Sequence, residues 1–246
     1  MVNEKKPNHK ARLWVVIHCL NGNGGLEHSV HMAKIAEADG ADGVMLIPDY
    51  AKNGSRASTE NIIEYFAAIK KDLPSLKIGV NFLLKDIRKI LPKIYSLRPG
   101  MLQCDGVIPD ELDMSQLPDT LLLPGLAFKY TNDVNVKGYT LKELCESVSL
   151  SEYVIPTTSG DKTGTAASLE KILSIRQYLN PSKRLGLASG ITGENIQGYL
   201  DAGVTDFLVA TSLLKYVDNN GFDILDPKKV AKLADIIQIY NQRTFQ

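Results

Sequence analysis

RLGLASGITGENIQGYLDAGVTDFLVATSL, residues 184–213, contains the pattern that decides the fold. A short apolar run and a turn of small residues lead into an amphipathic stretch that ends at Gly203, and a second apolar run follows from Asp206. Glycine often ends a helix because it adopts the left-handed conformation without strain, so Gly203 marks a helix end just before a strand. The stretch therefore predicts one parallel βα unit and the strand of the next.

The same alternation extends over most of the chain. Eight apolar runs are predicted strands: LWVVIHCL from Leu13, GVMLIPDY from Gly43, KIGVNFLL from Lys77, MLQCDGVI from Met101, TLLLPGLAF from Thr120, YVIPTTSG from Tyr153, RLGLASGI from Arg184 and DFLVATSL from Asp206. Each is apolar along its length, as expected of parallel strands covered on both faces. Because one barrel of this kind needs roughly 250 residues, we predict a single (β/α)₈ TIM barrel at residues 13–246, preceded by a polar arm at residues 1–12.

Two features qualify this prediction. The fourth unit, VIPDELDMSQLPDT from Val107, contains two prolines and little helical periodicity, so we expect an irregular connection there. A doubly wound open sheet is the alternative architecture. Gly22, Gly24 and Gly25 follow the first strand, but they do not form the GxGxxG pattern typical of that fold.

Composition limits the class of protein. Hydrophobic residues make up 44% and charged residues 23% of 246 residues, which predicts a globular, soluble chain. Basic and acidic residues number 28 each, so the overall charge favours neither nucleic acid nor a membrane as partner, although a local patch can bind phosphate. A polar N-terminus and three scattered cysteines indicate a cytoplasmic location. The composition does not decide between a monomer and a homo-oligomer.

Three strand ends predict a binding site for a phosphate-bearing small molecule. They are Thr158-Ser159-Gly160, Ser189-Gly190-Ile191 and Ala210-Thr211-Ser212. In barrels, function lies at the C-terminal ends of the strands, and the turns after the seventh and eighth commonly hold phosphate. Small residues let backbone N–H groups approach an anion, and the sixth turn resembles an anion nest. The alternative is that small residues only allow close packing.

Four residues at strand ends form the predicted catalytic set. Lys129 follows the fifth strand, where desolvation would make it a base, a Schiff-base nucleophile or a substrate anchor; otherwise it is a surface lysine. Asp49 and Asn81 place a carboxylate and an amide where they can converge on a substrate, although Asp49 can equally cap a turn. His18 and Cys19 face opposite sides of the first strand, so only one enters the barrel. Within the set, Lys129 and Asp49 are the predicted acid/base or covalent pair, and His18 and Asn81 orient the substrate. No HExxH pattern occurs, and we predict no metal or cofactor.

Several motifs resemble those of a known family. GVNFLLKD from Gly79, GLAFKY from Gly125, TTSGDKTG from Thr157 and residues 188–212 are similar to the strand ends of the BtpA-like barrels, which are similar to ribulose-phosphate-binding barrels. Some members of that family are labelled phosphoribosyltransferase-like. The resemblance maps these residues onto motif positions: His18, Asn81, Lys129, Gly160, Ser189, Gly190 and Thr211. IPDY at the second strand departs from the family pattern, which leaves Asp49 outside the mapping.

The closing turns also resemble those of phosphoribosylanthranilate isomerase. That barrel uses a first-strand cysteine as base and a fifth-strand acid, so Cys19 could take the first role. The fifth strand here ends in Lys129 rather than an aspartate, which argues against that activity.

Together these features predict an enzyme for a phosphorylated sugar or nucleotide-like, phosphoribosyl-type substrate. Isomerisation, bond cleavage by a lyase and ribosyl transfer all stay open as reactions. The alternative is a non-catalytic assembly or regulatory factor that keeps the phosphate-ligand site.

Overall fold

The computed structural model of the protein describes residues 9–22, 24–48, 57–83, 87–106, 112–129, 139–149 and 152–245. Asp49, one of the predicted catalytic residues, lies outside these ranges. The barrel strands are β1 Arg12–Cys19, β2 Gly43–Pro48, β3 Lys77–Asn81, β4 Met101–Cys104, β5 Leu121–Pro124, β6 Thr157–Ser159, β7 Gly186–Ala188 and β8 Asp206–Val209.

The strands form a closed parallel barrel. Their order in the sheet is β5-β4-β3-β2-β1-β8-β7-β6, and every named pair among them is parallel. Parallel bridges from Leu122 to Val154 and from Gly125 to Thr157 join β5 to β6 and close the ring. The predicted TIM barrel is therefore confirmed, with one parallel βα unit after another around the axis.

Helices surround the barrel on the outside. They are α1 Gly25–Ala38, α2 Thr59–Asp72, α3 Ile87–Ile94, α4 Leu141–Ser149, α5 Leu169–Tyr178, α6 Ile196–Asp201 and α7 Pro227–Thr244. Gly203 adopts φ 89° just after α6, as predicted for a helix end. Residues 112–120 between β4 and β5 contain turns but neither helix nor strand, so the irregular fourth connection is confirmed there. Of the helices within the described ranges, none has the length and apolarity to cross a membrane.

Side chains of alternate strand residues separate into two cores. One fills the barrel, with Trp14, Met45, Met101, Leu123, Ile155 and Leu208 among its members. The other lies between strands and helices and includes Cys19. His18 points toward the barrel mouth, whereas Cys19 is buried against α1, where the Ser29 hydroxyl lies 3.8 Å from its Sγ. The strand alternation thus settles which of the two neighbours enters the barrel: it is His18.

A hairpin between β8 and α7 is an addition that the apolar pattern does not predict. Its strands are β9 Leu214–Val217 and β10 Asp223–Leu225, paired antiparallel. The ring of Phe222 lies 4.6 Å from the ring of His28 on α1, and Leu225 N–H points at the sulfur of Met32 at 3.4 Å. These contacts hold the hairpin against α1, beside the C-terminal end of β1.

A fully buried carboxylate lies at the opposite, N-terminal end of the barrel. Asp206 accepts hydrogen bonds from Arg12 Nε and Arg184 Nε, each at 2.8 Å, and from the Thr205 hydroxyl at 2.9 Å. The indole N–H of Trp14 lies 3.3 Å from the same carboxylate. Burial alone would raise the pKa of Asp206, but the two guanidinium groups outweigh it and hold this pKa below its usual range. The cluster ties β1, β8 and the segment before β7 together.

Candidate functional site

A cavity of about 290 Å³ opens at the C-terminal end of the barrel, near the lower end of the roughly 300–1,000 Å³ typical of small-molecule sites. The strand or following loop of each of the eight units contributes to its wall. Its polar lining comprises His18, Asn81, Gln103, Asp105, Lys129, Thr163, Ser189, Thr192, Thr211 and Ser212. Val16, Ile47, Phe128 and Leu208 form its apolar floor and sides. The fold therefore brings charged and hydroxyl groups to one concave, partly apolar site.

The seventh and eighth turns lie together in this cavity. All residues of Ser189-Gly190-Ile191 and Ala210-Thr211-Ser212 line it. Within the described residues, the backbone N–H groups of Gly190 and Ile191 have no acceptor. The buried hydroxyl oxygen of Ser212 likewise has no hydrogen-bond partner in the described part of the chain. The three groups line one cavity, so they are donors available to an acceptor bound there.

Close backbone packing shapes the seventh turn. Gly190 adopts φ 64°, and a Cβ atom placed on it would lie 2.2 Å from the backbone nitrogen of Ala166. The side-chain amide of Asn195 donates to the Gly190 carbonyl at 2.8 Å, while its oxygen accepts from Thr192 N–H at 2.8 Å. Helix α6 begins only after Asn195, so this asparagine rather than a helix end fixes the turn. Asn195 belongs to no motif that predicts this role from the sequence.

The sixth turn plays a different part from the one predicted. Ser159 and Gly160 do not line the cavity. The Ser159 hydroxyl is fully buried, accepts from Lys129 N–H at 2.8 Å and donates to the Gly160 carbonyl at 2.8 Å. Gly160 packs so tightly that a Cβ would lie 2.0 Å from the Thr165 carbonyl oxygen. The loop reaches the cavity further on, through Thr163 and Gly164.

Lys129 enters the cavity rather than the surrounding solvent. Its side chain is half-buried, and Nζ donates to the Ser189 hydroxyl at 2.8 Å. The same ammonium lies 5.7 Å from the centre of the Phe128 ring. Of the two alternatives for this residue, the structure favours the one that points into the barrel mouth. Lys129 brings a positive charge to the edge of the seventh turn.

Asp105, directly after β4, is a site residue that was not predicted from the sequence. It is 8% exposed, and its Oδ1 accepts from Asn81 Nδ2 at 3.0 Å. Burial raises the pKa of Asp105, although the hydrogen bond from Asn81 and the charge of Lys129 both act to lower it. The only feature of the sequence that could have identified Asp105 is its position, as the acidic residue that follows the apolar run of β4. A pKa shifted upward by burial favours the protonated carboxyl, which is the form that a general acid uses.

His18 and Asp223 form the second polar pair. The Nδ1 atom of His18 lies 2.5 Å from Asp223 Oδ2, and both side chains are about one fifth exposed or less, at 17% and 21%. Asp223 belongs to β10, so the hairpin after β8 supplies it. No motif in the sequence links residues 18 and 223, which are brought together only by the closing of the barrel.

Backbone strain concentrates around the cavity. Four non-glycine residues in the described chain have positive φ: Leu83 at 59°, Ala127 at 46°, Ser189 at 72° and Arg98 at 47°. The first follows Asn81, the second precedes Phe128 and Lys129, and the third lines the cavity itself. Such conformations cost roughly 1–3 kcal/mol each and cluster at functional sites. Only Arg98 lies at the other end of the barrel.

Two further expectations concern cysteine and metal. Cys19 faces the helix layer and is absent from the cavity wall, so the base role suggested by the resemblance to phosphoribosylanthranilate isomerase is wrong on geometric grounds. Among the residues that the structure describes, no three His, Cys, Asp or Glu side chains cluster in a way that could hold a metal ion.

We expect Asn81→Leu to raise the pKa of Asp105 further. The variant removes a hydrogen bond that favours the charged carboxylate, and burial remains. The pKa can be followed through the carboxyl ¹³C shift in a pH titration by NMR. Gln103→Leu is the matched control, because Gln103 pairs with Asn81 across β3 and β4 and lines the same cavity without a hydrogen bond to Asp105 in the described chain. An unchanged titration of Asp105 in Asn81→Leu would contradict the assignment.

Comparison with solved structures shows the fold. Phosphoribosyl anthranilate isomerase from Thermotoga maritima is 17% identical, with a TM-score of 0.63 over 93% of this chain and 98% of that chain. A phosphoribosyl anthranilate isomerase in complex with reduced 1-(o-carboxyphenylamino)-1-deoxyribulose 5-phosphate is 17% identical, with a TM-score of 0.60 over the same shares. Thiamine phosphate pyrophosphorylase from Pyrococcus furiosus is 13% identical, with a TM-score of 0.56 over 97% of this chain and 98% of that chain. No family model and no curated protein sequence matches this chain. At these identities, the likeness shows the barrel fold alone.

Proposed function

We propose that this protein is an enzyme that binds a phosphorylated sugar or a nucleotide-like, phosphoribosyl-type substrate at the C-terminal face of the barrel. The observation that supports this most is the group of unpaired donors in one cavity: Gly190 N–H, Ile191 N–H and the Ser212 hydroxyl. Phosphate oxygens accept several hydrogen bonds at once, and backbone N–H groups suit them. The phosphate is held between the seventh and eighth turns.

The positive charge for this phosphate comes from Lys129. Among the described residues that line the cavity, Lys129 and His18 are the ones with basic side chains, and Lys129 is the one bonded to the seventh turn. Lysine acts on phosphate as a point charge on a flexible stem, so it can turn from Ser189 toward a bound oxygen. Ser159 helps to position Lys129, because its hydroxyl accepts a hydrogen bond from the Lys129 backbone N–H.

The reacting end of the substrate lies among His18, Asn81, Asp105 and Lys129. Binding the distant phosphate orients the rest of the molecule, which turns binding energy into proximity. Asp49 stays part of the proposed catalytic set as the residue that follows β2. Isomerisation, cleavage and ribosyl transfer are the reactions open to this set. Two of the solved structures with the same fold carry phosphorylated compounds in their names, which agrees with the proposal. The BtpA-like kinship and the cytoplasmic location stay predictions.

We expect ribose 5-phosphate at 100 times its Kd to stabilise the protein by about 2.7 kcal/mol, a rise in Tm of roughly 5–10 °C. Ribose without phosphate should give a much smaller rise. Thermal unfolding with and without each compound measures this. A protein whose Tm responds to no phosphate compound would contradict the proposal.

Paired glycine variants locate the phosphate. Gly190→Ala forces a Cβ against the Ala166 backbone and strains a positive φ, so we expect it to abolish the ribose 5-phosphate response. Gly193→Ala, three residues further on, meets only the side chains of Lys232 and Ile236, at the ordinary contact distances of 3.7 and 3.9 Å, and should keep the response. An equal rise in Tm with ribose 5-phosphate in both variants would show that the phosphate does not bind at the seventh turn.

A further inference from the structure

The pair formed by His18 and Asp223 has a use beyond holding the hairpin in place. A carboxylate that accepts from His18 Nδ1–H fixes the neutral imidazole in one tautomer, with the proton on Nδ1 and the lone pair on Nε2. A histidine oriented in this way is a general base, and the carboxylate stabilises the imidazolium that forms when it takes a proton. His18 lines the cavity, so this base faces the bound molecule.

The position of His18 around the barrel is the second step. Strand β1 pairs with β8, so His18 stands next to the turn that contains Ser212. In the closed ring of eight strands, β5 is the strand opposite β1, and β4 is its neighbour. Lys129 and Asp105 follow these two strands. A base on one wall therefore faces an ammonium and a buried carboxyl on the other.

Resting on the proposed function, the geometry points to a substrate class: we propose that His18, held by Asp223, exchanges a proton with the carbon next to the carbonyl group of a phosphorylated hydroxyaldehyde or hydroxyketone. Removal of a proton from such a carbon needs a base on one side of the substrate and an acid on the other, which protonates the carbonyl oxygen. Val16 and Ile47 line the cavity beside His18, and apolar surroundings strengthen electrostatic interactions.

The step conserves atoms and electrons. Nε2 of His18 takes the proton from the carbon, and the electron pair of the C–H bond forms a carbon–carbon double bond. The carbonyl π pair moves to oxygen, which takes a proton from the Asp105 carboxyl while Lys129 offsets negative charge. The product is a neutral enediol, with an imidazolium at His18 and a carboxylate at Asp105. Reversal restores the substrate, or returns a deuteron to carbon in D₂O.

Exchange of carbon-bound hydrogen for deuterium tests this directly. Dihydroxyacetone phosphate, glyceraldehyde 3-phosphate, ribulose 5-phosphate and ribose 5-phosphate are incubated with the protein in D₂O, and loss of the C–H signal is followed by ¹H NMR. We expect exchange above the uncatalysed rate with at least one of them. His18→Gln should slow it about 100- to 10,000-fold, the range usual for loss of a general base.

Asp223 is a positioning residue, and its role needs a readout apart from rate. We expect Asp223→Asn to slow exchange at least about 100-fold, and to shift the ¹⁵N signals of the His18 ring away from the Nδ1–H tautomer. Asp218→Asn is the control for a loosened hairpin, because Asp218 accepts from Asn220 N–H and Phe222 N–H in the hairpin turn. It should leave both the exchange rate and the His18 tautomer close to those of the wild type.

The outcomes separate this inference from the proposed function. If ribose 5-phosphate raises Tm but no compound of the four exchanges, the phosphate site stands and the proton-transfer inference is overturned. Exchange that persists in His18→Gln overturns it as well. If the His18 tautomer is unchanged in Asp223→Asn, Asp223 does not position His18 as proposed. If no phosphate compound raises Tm, the proposed function itself fails.

Discussion

Asp206→Asn is expected to lower the free energy of unfolding by about 3–5 kcal/mol, the usual cost of breaking a buried ion pair on one side. The variant keeps the size of the side chain but removes its charge. Arg12 and Arg184 would then keep their positive charges at side-chain exposures of 15% and 17% without the carboxylate that both of them contact. Since whole domains are stable by only about 5–15 kcal/mol, urea unfolding should show a large fall in the transition midpoint.

The pH dependence of this effect has a definite sign. The folded-state pKa of Asp206 is lowered, so its contribution is fully present above the unfolded pKa of about 3.9 and is lost as pH falls through the folded pKa. The difference between wild type and Asp206→Asn should therefore be constant from about pH 5 to pH 8 and shrink in stronger acid. A difference that grew on acidification would contradict the assignment.

An exposed ion pair supplies the control. Lys34 and Asp72 lie 2.7 Å apart on the surface, with side-chain exposures of 51% and 41%. Solvent screens such pairs, so Asp72→Asn should change the unfolding midpoint very little. If the two variants lost similar stability, burial at the N-terminal end of the barrel would not explain the Asp206 effect.

The fold was predictable because its signal is repeated. Each βα unit places an apolar run before a helical stretch, so one irregular unit, such as the fourth, does not obscure the pattern of the others. That Ser189, Gly190 and Thr211 line one cavity was predictable for a related reason: they lie directly at strand ends, and the C-terminal ends of parallel strands meet on one face.

The partners within the site were not predictable, because they depend on distances through space. Asp223 meets His18 across 205 positions of sequence, through a hairpin whose short strands carry no strong pattern. The direction of each side chain follows from strand register, which decides that His18 rather than Cys19 enters the cavity. Ser159 was predicted to bind phosphate because it is a hydroxyl residue at a strand end. In the structure its hydroxyl accepts from Lys129 N–H and donates to the Gly160 carbonyl.

Lys129→Met is expected to reduce conversion of a phosphorylated substrate about 100- to 10,000-fold, as for loss of a charged group that acts in the transition state. The variant keeps an unbranched side chain of similar length but removes the ammonium, which lies over the Phe128 ring and donates to Ser189. Conversion can be followed by ³¹P NMR for the phosphate ester that raises Tm most. Lys162→Met is the control, since Lys162 is an exposed lysine in the neighbouring loop and does not line the cavity.

The same variant separates an enzyme from a non-catalytic assembly or regulatory factor. A factor that only senses a phosphorylated ligand needs the donors of Gly190, Ile191 and Ser212 to bind it. Such a factor does not need the proton donor Asp105 and the base His18 on opposite walls of the cavity. In an enzyme, loss of Lys129 should weaken binding of the phosphate ester, because one positive charge is lost, but it should reduce conversion far more, because the backbone donors of the seventh turn still bind phosphate. Conversion equal to that of the wild type in Lys129→Met would remove this lysine from catalysis. A wild-type protein that binds the phosphate ester without converting it would favour the factor.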